Sequence, residues 1–335
     1  MARKGRIDVA GAVHHIIQRG VDRGRIFWDD ADYHGFVKRM AENFIKTKTR
    51  CFAWSLMPNH FHLVLSTGTD PIRHVLQCIL TGHAMGINRK YGRSGHLFQG
   101  RYQSILCEKE TYLLELVRYV HLNPFKSGIV ESVEDLDKYR WTGHRSLMGL
   151  NEVPWQVTDE VLGRFGTRAG NARVRYVEFL KAGLKGSANE LEIMGQGMKR
   201  LSAGGWESDH GKADSSDTYA DERIAGSREF VERVLKEVGE RERWRSKMVS
   251  KGWTVERVIE RAAKMAGIKI AEIKGSGKRP VQCKARYMAC KWLVVDLGKS
   301  EVEVAGLLGI TQPGVSACVR KGQELEKNGG SRFED

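Results

Sequence analysis

The run MPNHFHLVLS, Met57 to Ser66, constrains the fold more than any other stretch of the chain. A second β-rich segment, Arg50–Leu56, precedes it, and Pro58–Asn59 between the two reads as a turn. The spacing predicts a hairpin of Arg50–Leu56 and Phe61–Leu65. Side chains two apart on a strand share a face. Phe61, Leu63 and Leu65 form one side, which must be covered by helices. His60, His62 and Val64 form the other. Two imidazoles placed side by side can hold one divalent ion, and imidazole is the commonest protein metal ligand. Histidines so spaced also occur on ordinary half-exposed strands. The pair gains meaning only with a third ligand and a reactive group.

The surrounding pattern supplies the rest of a sheet. Gly11–Gln18 is β-rich. Asp29–Lys46 has helical spacing, with Phe36, Met40 and Phe44 four apart. Pro71–Lys90 reads as a helix and Arg101–Cys107 as a strand. Thr111 is placed to cap a helix running to Asn123, where Pro124 stops it. The order β-α-β-β-α-β-α predicts an α+β, ferredoxin-like antiparallel sheet with helices on one face. At 335 residues the chain exceeds one ordinary core, so two domains are expected. Residues 1–150 would hold the sheet and 151–201 a helical extension. Residues 202–226, rich in Gly, Ser and Asp, read as a linker, and 227–335 as an all-α domain.

A formal charge of +14 points to a polyanionic partner. No apolar run approaches the roughly 20 residues of a membrane span, and the basic N-terminus lacks the apolar core of a signal peptide. The six cysteines form no CxxC pair and are read as reduced thiols, so a cytoplasmic location is expected.

Candidates to complete the histidine site lie in YLLELVRYVHLNP, Tyr112 to Pro124. Leu113, Leu116, Val117 and Val120 form its core stripe. Tyr119 and Asn123, four apart, lie together on the flank of that stripe. Tyr112 shares this side two turns earlier, so spacing alone leaves the choice of tyrosine open.

Four stretches, GAVHHIIQRG, MPNHFHLVL, GHLFQGRYQS and LVRYVHLNP, occur in this order and spacing. With them, residues 1–200 resemble the REP-associated tyrosine transposases, members of the His-hydrophobic-His (HUH) class of single-strand DNA nucleases. Val21 stands where that family usually has Asn. The resemblance implies metal ligation by His60, His62 and the Asn123 amide, with Tyr119 as nucleophile. It implies Mg²⁺ or Mn²⁺ as cofactor, a 5′-phosphotyrosine intermediate, and single-stranded hairpin DNA from short palindromes as substrate. A homodimer is one assembly it allows.

Basic residues flank this site. Between Thr81 and Leu106 stand Arg89, Lys90, Arg93 and Arg101 with no acidic residue, and Tyr91, Phe98 and Tyr102 are interleaved. Cations for phosphates and aromatics for unstacked bases suit single-stranded DNA. Arg19, in the first motif, is read with them as a DNA contact.

Glu301–Arg320 fits a helix-turn-helix: Ala305 is the small residue, Gly309 the turn glycine, and Val304, Leu308, Ile310, Val315 and Cys318 the core. Thr311 would cap the second helix, with Pro313 in its first turn. That helix would offer Gln312, Ser316 and Arg320 to a major groove. Upstream, Lys274–Arg286 carries Lys274, Lys278, Arg279 and Lys284, a basic Gly-containing loop suited to phosphates. The run from about Thr254 to Leu325 resembles the DNA-binding domain of DnaA-type replication initiators, which implies binding of double-stranded DNA. With no Walker A motif, it does not imply initiation. The combined expectation is a DNA transposase that cleaves and rejoins single strands. The rivals are a domesticated DNA-binding regulator, a replication-type nicking enzyme, and a metal hydrolase that uses water.

Overall fold

A computed structural model describes residues 13–185, 223–275 and 277–327, together with Ile7 and Val9. The chain divides into two compact units, residues 1–234 and 235–335. Residues 202–222 of the expected linker, and the end of the expected helical extension, lie outside the described residues.

The first unit is built on a sheet of β1 (Val13–Arg19), β2 (Arg50–Met57), β3 (His60–Ser66), β4 (Gln103–Cys107) and β5 (Ile224–Ala225), in the order β2-β3-β1-β4-β5. The first three pairings are antiparallel. Helices α1 (Asp30–Thr47), α2 (Ile72–Lys90) and α3 (Lys109–His121) give the expected β-α-β-β-α-β-α order. Asp29 caps α1, accepting from the Asp32 amide while the Asp32 carboxylate accepts from the Asp29 amide. β5 was not expected. Its two residues, read as the end of the linker, pair in parallel with Leu106 and Cys107.

The helices lie on both faces of the sheet rather than one. Phe36, Met40 and Phe44 of α1 and Val75, Leu76 and Ile79 of α2 pack with Ile16, Phe61, Leu63 and Leu65. Leu113, Leu116, Val117 and Val120 of α3 pack with Val13, Phe52 and Val64 on the opposite face. The reason lies in β2 and β3, which are buried almost throughout. Strands that are apolar on both sides need two covering layers. The histidine face is therefore roofed by α3.

Two expectations for α3 are corrected. It starts at Lys109, before Thr111, and Glu108 stands at the N-cap position. Pro124 does not terminate the helical path. It opens a further turn, α4 (Asn123–Lys126), because proline is tolerated in a first turn, where its missing N–H is not needed. Residues Val161, Leu162, Ala172, Tyr176 and Leu180, from the helices Asp159–Gly163 and Ala169–Lys185, join the α3 side of the core.

The second unit is helical. Trp292, Leu293, Val304, Leu308 and Val315 are buried at its centre. Helices Glu301–Leu308 and Gln312–Lys327 meet at 99°. Gly309 makes the turn in the left-handed region, at φ 65°. Thr311 accepts from the Gly314 amide at 3.3 Å, the expected cap. Gly322 has a packing reason: a Cβ there would stand 2.3 Å from the Tyr287 carbonyl oxygen. Only glycine lets the last helix lie so close to the helix Pro280–Lys291. Among the described residues, no single helix is long and apolar enough to cross a membrane.

Phe61 is fully buried between β3 and α1. Phe61→Ala is expected to cost about 3–5 kcal/mol of stability in urea unfolding. A loss below about 1 kcal/mol would contradict this packing.

Candidate catalytic site

The site is assembled by register. Across β1 and β3, Arg19 lies opposite His60, Ile17 opposite His62 and His15 opposite Val64. His15, on the strand beside β3, thus sits diagonally next to His62. Their rings stack with centroids 5.3 Å apart, and His15 Nε2 lies 3.1 Å from His62 Nδ1. The His60 and His62 rings meet edge to face at 5.3 Å. His60 Nδ1 lies 2.7 Å from Asn59 Oδ1, a carbonyl acceptor that places the ring proton on Nδ1. If His62 likewise donates through Nδ1 to His15, both histidines keep the Nε2 lone pair for a cation. Ligating histidines are commonly fixed in this way through the second ring nitrogen.

α3 brings in Tyr119, and the turn α4 that follows it brings in Asn123. The Tyr119 ring stands edge-on to His62 at 5.6 Å and to His15 at 5.4 Å. Tyr112 is instead buried in the core beneath α3. Asn123 Nδ2 donates to the Tyr119 carbonyl at 2.9 Å, which fixes which end of the amide is nitrogen. The Asn123 side chain also hydrogen-bonds His60 and the Tyr119 hydroxyl. Burial pushes Tyr119 up to about 12, against the lowering from Asn123. Lys126, on the extra turn, lies 4.8 Å over the Tyr119 ring.

Among the described residues no three His, Cys, Asp or Glu side chains gather as a metal cage. The donor set available here is two imidazoles and one amide oxygen. His60, His62 and Asn123 could hold a divalent ion with positions left for substrate oxygens, so the residues fit the group. Both imidazoles are neutral at ordinary pH. Burial lowers His60 to about 4, and burial with the His15, His60 and Lys126 charges lowers His62 further.

A second buried polar chain anchors the end of α3. His144 Nε2 lies 2.9 Å from Asp137 Oδ1, and the Tyr176 hydroxyl sits 3.0 Å from His144 Nδ1 and 2.8 Å from His121 Nδ1. With both rings neutral, the only consistent direction runs His121 N–H to Tyr176, Tyr176 O–H to His144, and His144 N–H to Asp137. It ties the residue two before Asn123 to the helix Ala169–Lys185.

The basic residues divide. Arg19 is half-buried, donates to Gln99 Oε1 at 2.6 Å, and lies beside His60. Arg89, Arg93 and Arg101 are exposed. Lys90 is engaged within the fold, paired with Asp29 at 2.7 Å and Asp32 at 2.8 Å. The interleaved aromatics are engaged too: Tyr91 donates to Asp32 at 2.9 Å, Tyr102 is buried, and Phe98 packs against the α1–α2 core. They were legible as aromatic, but a core needing apolar cover claims them before DNA can.

In the second unit Lys274, Lys278 and Lys284 are exposed, and Arg279 pairs with Glu272 at 2.9 Å. Gln312 and Ser316, expected to face a groove, donate to the same Glu301 carboxylate oxygen at 2.9 and 2.6 Å. They bind the two helices together. Arg320 is half-buried.

Sequence reading missed His15, Lys126 and the His121–Tyr176–His144 chain. The HH pair in GAVHHIIQ was a visible signal for His15, since a strand beside β3 must aim alternate residues at the same face.

No protein-family model and no curated protein matches the chain. Among solved structures, one described as a REP-associated tyrosine transposase bound to a REP hairpin is 16% identical, with a TM-score of 0.38, covering 46% of this chain and 91% of that one. A putative transposase from Deinococcus radiodurans is 18% identical, with a TM-score of 0.26, covering 36% and 95%. Likeness at this level carries no argument, and function is read from the site.

The buried histidines predict an acid-sensitive fold. Burial lowers His14 to about 4, His15 to about 3, and His60 and His83 to about 4. On unfolding each returns to about 6.5. Between those values the unfolded chain binds more protons, so stability rises with pH. Their contribution is full above about pH 6.5 and is lost as pH falls through 4 to 3. The urea midpoint is expected to be lower at pH 5 than at pH 7.5. A midpoint unchanged over that range would overturn the assignment.

Proposed function

We propose that the first unit cleaves and rejoins single-stranded DNA through Tyr119, and that the second unit holds duplex DNA. One observation carries this reading: Tyr119, His62 and His15 meet ring to ring, while Asn123 bonds both Tyr119 and His60. A fold needs no such convergence for stability, because it buries imidazoles at a cost.

The Tyr119 hydroxyl gives up its proton to solvent, and its oxygen attacks the scissile phosphorus. The phosphorus–oxygen bond to the 3′ oxygen breaks, and that oxygen leaves as a hydroxyl after taking up a proton. The 5′ phosphate stays on the tyrosine, so the bond can be remade without ATP. His60, His62 and the Asn123 carbonyl would hold a divalent ion, Mg²⁺ or Mn²⁺, which would supply Lewis acidity at the phosphate. Asn123 favours the phenolate by hydrogen bonding, and the Lys126 cation over the ring favours it by charge. Arg19 stands beside His60 to meet a non-bridging phosphate oxygen. The motif resemblance directs the choice of substrate to hairpins of short palindromes.

Three readouts test this reading. Labelled hairpin DNA from the flanking genomic sequence is incubated with Mn²⁺ and run on a denaturing gel. A protein–DNA adduct is expected, absent in Tyr119→Phe and in His62→Ala. An adduct surviving in Tyr119→Phe would move the nucleophile, and cleavage without adduct would favour water. His15→Ala is expected to weaken Mn²⁺ binding roughly 10–100-fold in a spin-resonance titration, because it releases the His62 ring. Unchanged affinity would remove His15 from that role.

A further inference from the structure

Between β1 and α1 the chain turns through residues 20–25, and two successive non-glycine residues there lie in the left-handed region, Asp22 at φ 51° and Arg23 at φ 57°. Among the described residues, Lys48 is the other non-glycine with positive φ, and it ends α1, where a left-handed residue is ordinary. Asp22 and Arg23 end no long helix. A residue with a Cβ resists this conformation, which persists only where the surroundings impose it.

Here they do. The Gly20 amide donates to the Asn59 carbonyl at 2.9 Å, the Val21 amide to the Leu97 carbonyl at 3.0 Å, and the Ile26 amide to the Pro58 carbonyl at 2.8 Å. The loop closes so tightly that a Cβ on Gly20 would stand 2.1 Å from the Gly24 carbonyl oxygen. It is thus fastened to the β2–β3 turn, next to His60.

What the loop presents there is the Arg23 carbonyl, which accepts from Asn59 Nδ2 at 3.2 Å. The other end of the same amide, Oδ1, lies 2.7 Å from His60 Nδ1 and accepts its proton. Asn59 has no positive φ, so the turn does not need asparagine for its backbone. Its side chain instead joins segments 36 residues apart in the chain. The His60 ring has a second amide partner in Asn123, so the strand alone does not fix its tautomer. A flip of Asn59 would turn its NH₂ toward Nδ1, and the ring could accept that bond only with its own proton on Nε2. Nε2 would then have no lone pair for a cation.

We propose that Asn59 is a positioning residue for His60, and that the left-handed Arg23 backbone keeps the Asn59 amide the right way round; the inference rests on the reading of His60 as a metal ligand. β3 aims the ring. The β1–α1 loop, through one amide, chooses which ring nitrogen is open.

The test begins with the metal-free full chain. With ¹⁵N-labelled histidine, two-bond proton–nitrogen spectra separate a ring protonated on Nδ1 from one protonated on Nε2, and His60→Gln identifies the His60 signals. His60 is expected in the Nδ1–H form. Asn59→Ala is expected to move it toward Nε2–H and to weaken Mn²⁺ binding roughly 10–100-fold in a spin-resonance titration. Asn59→Asp gives up the donor to Arg23 but has two like oxygens, so it has no wrong end. It is expected to keep the Nδ1–H form and to bind Mn²⁺ at least as tightly as the parent. Arg23→Pro cannot adopt φ 57° and is expected to behave as Asn59→Ala does, with Asn59→Asp restoring the Nδ1–H form in the double variant. A merely structural Asn59 predicts no such rescue. If Arg23→Pro does not fold, the two Asn59 variants decide. An Nε2–H ring in the parent, or an Asn59→Ala variant with tautomer and affinity unchanged, would overturn the proposal. A folded Arg23→Pro variant with the parental tautomer would remove the loop from it. Loss of the Tyr119 adduct with these shifts intact would leave a tuned metal site on a protein that does not cut. A parental adduct with an unmoved tautomer would keep the nuclease and sink the role of Asn59.

Discussion

Everything in the first unit depends on the double-sided burial of β3. Its alternation sends Phe61, Leu63 and Leu65 under α1 and α2, and His60, His62 and Val64 under α3. A slip of one residue would exchange the two sets and destroy both core and site. The register with β1 then decides which side chains can join the histidines. It brings His15 beside His62 and Arg19 beside His60. Packing of α3 through Leu116, Val117 and Val120 sets the height of Tyr119 above them. The apolar contacts therefore do the positioning and the polar residues inherit it.

Such an arrangement is costly. Several imidazoles are held neutral by burial, and some ring nitrogens, such as His121 Nε2 and His15 Nδ1, are enclosed without a hydrogen-bond partner. Each unmet polar atom works against folding. The offset comes from the large apolar layers on both sheet faces. That balance ties the site to near-neutral conditions.

Much of this was legible in the sequence, and for a physical reason. Periodicity two in β3 and periodicity near four in α1 each follow from the need to bury one side of a regular element. The strand limits were read within one or two residues, and Asp29–Lys46 differs from α1 by one at each end. The second covering layer was not read, because the apolar residues of β2 run without alternation and do not say how many faces they bury. β5 was missed because two residues have no period. Lys90, Gln312 and Ser316 were read as facing DNA, but sequence shows charge and polarity without showing which carboxylate lies opposite. Asp29, Asp32 and Glu301 are those carboxylates. Tyr119 and Asn123 were legible together because their spacing of four survives any shift in helix limits, and geometry separates Tyr119 from Tyr112 only once β1 and β3 are in place.

The fifth strand gives this fold a history in time. Leu106 and Cys107 of β4 find their partners Ile224 and Ala225 only after more than a hundred further residues. A ribosome adding about 5–20 residues per second needs roughly 6–23 s to deliver them. Throughout that interval the outer edge of β4 is an open strand, able to pair with any other chain nearby. When β5 arrives it blocks the Leu106–Cys107 end of that edge. The Ser227 amide and hydroxyl that follow it then donate to the Glu108 carboxylate at 2.7 and 3.1 Å, at the entrance to α3. The helix that carries Tyr119 is thus latched at its start by residues made long after it, so a nascent chain holds the tyrosine well before it holds the finished mount.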